Sequence, residues 1–287
     1  MSASTYAKSF LYYGIVVALC LYFNTTFQVY SQRLWDIVAN YVGHNDFTLS
    51  VVIPIIAMNA VQYSLGAFYL LIDVLKLECL AKYKHQPRPK KHDKKFHGWN
   101  VVKCMLTVVF NTTVLDFAIY YFILFPIQQR LGISGNNAVP NLITLVVQYQ
   151  LYLWASDIIN YGLHRAMHTK PLYWIHKMHH EWTAPISFTT FYGNPLEHFI
   201  FKVFMRYLII FSLGMHPFVA IVILILSTAS TMHDHSGYSL PYISPSGRFH
   251  DVHHEKSTVN FGDIGGLSLD KRFGTEDTSY LTKTAQE

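Results

Sequence analysis

Charge is what this sequence lacks. Only 14% of its 287 residues are Asp, Glu, Lys or Arg, against 51% hydrophobic and 16% aromatic, whereas soluble domains carry about 25% charge. That deficit excludes an ordinary soluble domain and predicts a membrane protein. Cysteine is scarce too. Cys20, Cys79 and Cys104 form an odd, widely spaced trio, which argues against a disulfide framework and a thiolate metal site. There is no Gly-x-Gly-x-x-Gly nucleotide fingerprint and no His-Pro-Gly-Gly haem-binding stretch, so the chain shows no means of drawing electrons from a nicotinamide by itself. No low-complexity tract interrupts it.

Long apolar runs are present instead. A membrane span needs about 20 predominantly apolar residues, and such runs lie near Ala7–Phe23, Leu49–Leu75, Val101–Phe125 and Leu142–Leu163. The first has no small-residue cleavage signature and reads as a retained anchor. A fifth apolar region, Phe199–Ala229, is interrupted by Gly214-Met215-His216-Pro217. Gly and Pro break a helix, and halves of about fifteen residues are short for spans, so a tilted or shallow hairpin is expected. Between Lys76 and Lys103 nine Lys or Arg residues face two acids, Glu78 and Asp93. Short loops beside spans carry this bias on the cytoplasmic side, which makes a nucleic-acid patch the weaker reading. The bias sets the topology. The loops Asn24–Thr48 and Pro126–Pro140 face outward, the fourth span ends inside at His164, and the hairpin returns the chain to that side. The sequons at Asn24 and Asn111 abut or enter spans. The tail from Leu267 is polar and expected to be partly helical before it frays.

Histidine is in excess. Twelve of sixteen fall between His164 and His254, spaced His164-x3-His168, His176-x2-His179-His180, His233-x-His235 and His250-x2-His253-His254. Positions i, i+3 and i+4 share a helix face, so each group is expected to aim two or three imidazoles at one point. Neutral imidazole is a good ligand for iron, zinc, copper and nickel, and the repeated His-x-x-His-His word predicts a polynuclear metal site. His198 and His233 stand between a ligand role and a structural one. His216 reads as structural, and His44, His85, His92 and His97 as surface or loop residues. Glu181, Glu197 and Glu255 are either carboxylate ligands or exposed helix-end acids. Asp157 falls in a stripe with Asn160 or Tyr161, His164 and His168. It either accepts the far ring N–H of a ligand histidine or bonds locally to the helix.

So many imidazoles exceed a four-coordinate zinc site, and two neighbouring metals would use them better. Histidine ligands with open positions suit iron that activates dioxygen. A site at the membrane surface under an apolar bundle suits a lipid whose C–H bond enters from the bilayer. The inference is lipid oxidation at a dinuclear non-haem iron centre, with no side chain assigned as catalytic acid or base. A non-enzymatic alternative is a bis-histidine haem protein or a metal-binding membrane subunit, although haem ligands would sit singly within facing spans.

His164-Arg165-Ala166-Met167-His168, His176-Lys177-Met178-His179-His180-Glu181-Trp182-Thr183-Ala184-Pro185 and His250-Asp251-Val252-His253-His254 resemble the three histidine boxes of the sterol desaturase/fatty acid hydroxylase superfamily. Asn194-Pro195-Leu196-Glu197, His235-Ser236-Gly237-Tyr238-Ser239-Leu240-Pro241 and Asp270-Lys271-Arg272-Phe273-Gly274-Thr275 extend the likeness, which is greatest to the methylsterol monooxygenase branch. The resemblance implies an all-α, multi-pass bundle in the endoplasmic reticulum membrane with a cytoplasmic, histidine-rich dinuclear site. It implies two iron ions held by His164, His168, His176, His179, His180, His235, His250, His253 and His254. Dioxygen would be co-substrate, and NAD(P)H would supply electrons through cytochrome b5 and its reductase. The expected substrate is a lipid from the bilayer, a sterol oxidised at its C4-methyl group. The same boxes also serve hydroxylases or desaturases of sphingoid bases, fatty acyl chains or other sterol positions. The expected organisation is residues 1–141 as N-terminal transmembrane helices with the basic loop, 142–275 as the catalytic region and 276–287 as a polar tail. Asn194 departs from the pattern, where histidine usually precedes the Pro-x-Glu. Leu269 departs too, standing where tryptophan is common.

Overall fold

The computed structural model describes residues 3–85, 99–240, 246–262 and 267–281. Among them there is no strand, and one isolated antiparallel bridge joins Lys84 to Tyr238. The chain is an all-α membrane bundle. Among the described residues four helices are each long and apolar enough to cross a bilayer: α2 (Thr48–Leu75), α3 (Trp99–Arg130), α4 (Leu142–Met167) and α7 (Pro217–Asp234).

α1 covers Ala3–Tyr41 with a bend of 51° between Leu19 and Leu21, so the outward loop expected from Asn24 is helix for most of its length. No Gly or Pro interrupts residues 24–41, and one face of this stretch has somewhere to pack. Trp35 and Ala39 are buried with Leu49, Val139 and Ile221, and the Trp35 indole N–H donates to the Gly135 carbonyl at 2.6 Å. Tertiary packing thus extends a helix that hydropathy alone would end at the membrane.

The hairpin falls where the Gly-Pro break placed it. Its first arm, α6, covers residues 195–212 as Pro195–His198, a π-turn Phe199–Phe204, and Met205–Ser212. Gly214 turns the chain at φ +55°, a conformation only glycine adopts without strain. His216 then caps α7 by accepting the Phe218 N–H at 3.1 Å, and Pro217 occupies the first turn, where a missing N–H costs nothing. The second arm is longer than the sequence suggested: its 18 residues reach spanning length. α7 is also the enclosed helix, with 50% of its apolar window buried against 11% for α4. α4 therefore turns Leu151, Trp154 and Ile158 outward to lipid, while α7 packs along α2 in the interior.

Lipid is as apolar as leucine, so helices in a bilayer are held by close packing and by hydrogen bonds between them. The Asn59 amide donates to the Thr112 carbonyl at 3.0 Å, and the Asn111 amide donates to the Phe191 and Gly193 carbonyls at 3.1 Å each. Asn111 is fully buried and its sequon is out of reach of glycosylation. Asn24 accepts the Ile143 N–H, which fastens α1 to the start of α4. The tail carries two short helical turns, α9 (Leu269–Phe273) and Thr278–Leu281.

Candidate metal centre

Four segments meet at one end of the bundle. They are the C-terminus of α4, the loop from α5 (Tyr173–His176) to Glu181, the C-terminus of α7, and α8 (Ser246–Lys256). They bring together all nine histidines carried over from the resemblance, in two groups. His164, His168, His176, His180 and His253 form one, and His179, His235, His250 and His254 the other; within each, the offered ligand atoms lie within 4.8 Å of one another. The groups adjoin, with ring centroids of His180 and His254 4.8 Å apart.

The His-x-x-His-His word does not aim at one point, as the periodicity suggested. Each word is divided. His176 and His180 serve the first group and His179 the second, whereas His250 and His254 serve the second and His253 the first. At 3.6 residues per turn, i and i+4 stand about 40° apart and i+3 falls on the far side of i. Two sites side by side can therefore take the i, i+4 pair and the remaining histidine separately.

Ring protons show why the groups suit metals. The Nδ1–H of His164 donates to the Phe261 carbonyl at 2.7 Å, that of His179 to Tyr192 at 3.2 Å, that of His235 to Thr231 at 2.8 Å and that of His253 to Val259 at 2.7 Å. His176 Nδ1–H donates to Glu197 Oε1 at 2.9 Å. A carbonyl can only accept, so at those four rings Nδ1 holds the proton and Nε2 carries a lone pair, and an ionised Glu197 imposes the same form on His176. Those Nε2 atoms nevertheless converge: His164 on His176 at 3.1 Å, and His235 on His179 at 3.2 Å. With no proton between them these pairs are not hydrogen bonds; lone pairs facing at this distance need a cation between them. For metal–nitrogen bonds of about 2.1 Å, neighbouring ligand atoms lie about 3.0 Å apart at right angles and about 3.4 Å apart at tetrahedral ones. The further edges, His180–His176 at 3.0 Å, His250–His235 at 3.1 Å and His254–His250 at 3.2 Å, fall in the same range. His168 Nε2 is buried with no hydrogen-bond partner among the described residues.

Burial keeps the imidazoles neutral. It pulls His176, His179, His250, His253 and His254 well below the ordinary histidine range, neighbouring imidazoles adding to the effect, and brings His168 and His235 down to about 3. A neutral ring is the form that ligates.

The remaining candidate side chains stand outside the two groups. His198 joins neither group and pairs with Asp116 at 2.7 Å, and His233 shares a hydrogen bond with the Tyr69 hydroxyl at 2.8 Å. Both are drawn away by polar partners on α3 and α2. Asp157 accepts the Leu267 N–H instead of a ring N–H; the carboxylate that reaches a group histidine is Glu197. Gly193 makes this possible, because a Cβ there would stand 2.7 Å from Glu197 Oε2. Glu181 binds Lys103 and Tyr192, and Glu255 is an exposed residue outside both groups. Asn194 caps α6 by accepting the Leu196 N–H. His85 is not a free loop residue: its ring is buried and lies 3.0 Å from Asp251. His44 binds Asn40 and Asn136, and His216 keeps its structural role. His92, His97 and the basic run Lys90–Lys95 lie outside the described residues. The Asp270 motif also gains a function: its carboxylate accepts the Phe261 and Gly262 N–H groups at 2.8 and 2.7 Å, holding the loop whose carbonyl orients His164.

A cavity of about 120 Å³ opens beside the groups, lined by His164, His176, His179, His235 and His250 and by residues of α4 and both hairpin arms.

Residues 149–275 match the family described as Fatty acid hydroxylase. The chain is 30% identical to "Fatty acid hydroxylase domain-containing protein 2" of Macaca fascicularis over 63% of its own length and 54% of that protein's. It is 28% identical to "Very-long-chain aldehyde decarbonylase GL1-8" of Oryza sativa subsp. indica, over 89% of this chain and 95% of the relative. With "Methylsterol monooxygenase erg25B" of Aspergillus fumigatus it shares 26% identity over 80% of this chain and 79% of the relative. The chain thus spans about half the length of the Macaca relative and 66% of "Fatty acid hydroxylase ahd1" of Mycosarcoma maydis. No solved structure matches.

Proposed function

Since residues 149–275 belong to the fatty acid hydroxylase family, we propose that the chain is a lipid oxidoreductase with two irons. Residues 142–275 form its catalytic region, and its finer activity is oxidation of a sterol C4-methyl group. The observation that carries this is the two histidine groups, whose unprotonated Nε2 atoms face one another beside a cavity. Nine imidazoles suit two ions with positions left open, and imidazole suits iron. When bound, the irons would supply dioxygen activation. The chain's own part is to hold each ring by its Nδ1–H, to keep the rings neutral by burial, and to admit a lipid between α4 and the hairpin. The histidine end faces the cytoplasm of the endoplasmic reticulum in this reading. Electrons come from cytochrome b5 and its NAD(P)H-dependent reductase, because the sequence has no nucleotide or haem site of its own. Whether the basic Lys82–Lys95 loop docks that donor or only sets topology is tested by neutralising Lys90, Lys91, Lys94 and Lys95 at low salt.

Elemental analysis should find about two ions per chain, iron in the active protein, and turnover should require an added donor. Turnover with NADPH and dioxygen alone, or one metal in an active preparation, refutes the reading. Lipid profiling of cells lacking the protein tests the substrate. Accumulated 4-methyl or 4,4-dimethyl sterols support sterol oxidation. Unhydroxylated sphingoid bases or fatty acyl precursors redirect it to another lipid. A second reading, action on long-chain aldehydes, is favoured by the relative that matches over nearly its whole length, and would show as accumulated aldehyde.

A further inference from the structure

Two rows of uncharged polar side chains line the cavity beside the histidines. On α4, Ser156, Asn160 and His164 follow one another at four-residue steps, and on α7 Ser227, Thr231 and His235 do the same. Residues at i and i+4 share a helix face, so each row leads to a ligand histidine, His164 of the five and His235 of the four. The rows differ in what they have left to offer. The Thr231 hydroxyl donates back to the Ser227 carbonyl at 2.8 Å. The Ser156 hydroxyl is buried with no hydrogen-bond partner among the described residues, and the Asn160 amide, on the same wall, has none among them either. The charged groups of the cavity are engaged: Glu197 by His176, Arg206 by the Thr228 hydroxyl, and Lys202 and Asp234 by partners of their own. An unpaired polar group inside a membrane bundle is costly, and here two stand one turn apart on a cavity wall. At about 120 Å³ that cavity is small beside the roughly 300–1,000 Å³ of sites that enclose a whole drug-sized ligand. It takes a head and leaves the rest of a lipid outside.

We propose that Asn160, with Ser156 one turn behind it, is the specificity residue that receives an uncharged hydroxyl on the lipid substrate. The inference rests on the reading of the cavity as the substrate site. A primary amide presents a donor and an acceptor side by side. A hydroxyl uses both, a carbonyl uses only the donor, and a hydrocarbon uses neither. Asn160 stands four residues before His164, about 6 Å along the helix, so a hydroxyl held there sets the carbons nearest it beside the histidines. This agrees with oxidation at C4 of a sterol, whose hydroxyl is carried by the adjacent C3.

Binding separates this from the redox chemistry. The full chain, in phosphatidylcholine nanodiscs, is loaded with cholestanol, its ketone cholestanone or the hydrocarbon cholestane at equal mole fractions, and the rise in unfolding temperature is followed with ligand concentration. Octadecanol and octadecane form a straight-chain pair. An alcohol is expected to bind about tenfold more tightly than the hydrocarbon of its own skeleton, with the ketone between. A preference among the cholestane compounds supports a sterol as the carrier of the hydroxyl; one confined to the straight-chain pair keeps the role of Asn160 and refutes the sterol. Asn160→Leu should bring alcohol and hydrocarbon together, with metal content unchanged. Should that variant fail to fold, Ser156→Ala is expected to lose part of the preference, and the wild-type preference remains a test in itself. Equal binding of alcohol and hydrocarbon in both skeletons, a ketone that binds as tightly as its alcohol, or a preference that survives Asn160→Leu each overturns the assignment. A hydroxyl preference in a chain that binds no iron would refute the oxidase reading and leave the role of Asn160 standing; two irons with no preference would do the reverse.

Discussion

The two histidine groups use the same ligand chemistry and are held differently. The group of five is built from two i, i+4 pairs, His164 with His168 and His176 with His180, closed by His253. The group of four has one such pair, His250 with His254, and takes His179 and His235 from two other segments. Of the five, only His164 and His176 line the cavity, whereas His179, His235 and His250 do so from the four. The first group has one ligand more to hold an ion, and the second presents more of itself to the cavity. The difference teaches that retention and access can be divided between two neighbouring sites of one donor type.

Removing one ligand from each group is the strongest way to break that comparison. His235→Ala leaves three imidazoles and is expected to lose its ion, giving about one metal per chain and no oxidation. His168→Ala leaves four and should keep about two metals with weakened turnover. Elemental analysis on both variants decides, and equal metal loss would show that the groups do not differ. Timed chelation sharpens it next: two phases are expected, the faster one from the four-histidine group, and a single phase would join the groups into one unit.

A smaller effect is expected at Glu197. Glu197→Gln weakens the hold on His176 and should lower metal affinity in the five-histidine group by about 10- to 100-fold, leaving the other group intact. Gly193→Ala, whose Cβ would crowd the Glu197 carboxylate, should act in the same direction, and normal loading of both variants would remove Glu197 from the site. The least is expected at His216, far from both groups. His216→Ala loses the α7 cap and costs about 1 kcal/mol of stability at full activity, measured as unfolding temperature beside turnover.

Much of this was legible in the sequence because the signals are local. Apolar run length marks α2, α3 and α4, Gly214 and Pro217 mark the hairpin turn, and histidine spacing marks all nine clustered rings. Other features were not legible, because they depend on what lies across the fold. α1 continues to Tyr41 since Trp35 finds Gly135, a hundred residues away. Glu197 rather than Asp157 serves a histidine since Gly193 leaves room for it. His198 and His233 have ligand-like spacing, but Asp116 and Tyr69 claim them first. The division of each His-x-x-His-His word needs two adjoining sites, and a single helix can reveal only one.

That division has a mechanical consequence. Cys79 and Cys104 are free thiols, yet an ion in the five-histidine group would tie His164 to His253 and close a loop of about 90 residues, comparable in chain entropy to a disulfide worth about 4–5 kcal/mol. The second ion would join α7 to α8 and to the loop after α5. Each word is then a hinge pin shared by two clasps. Metal loading should accordingly come late in folding, fastening the ends of helices that the bilayer alone leaves free to slide.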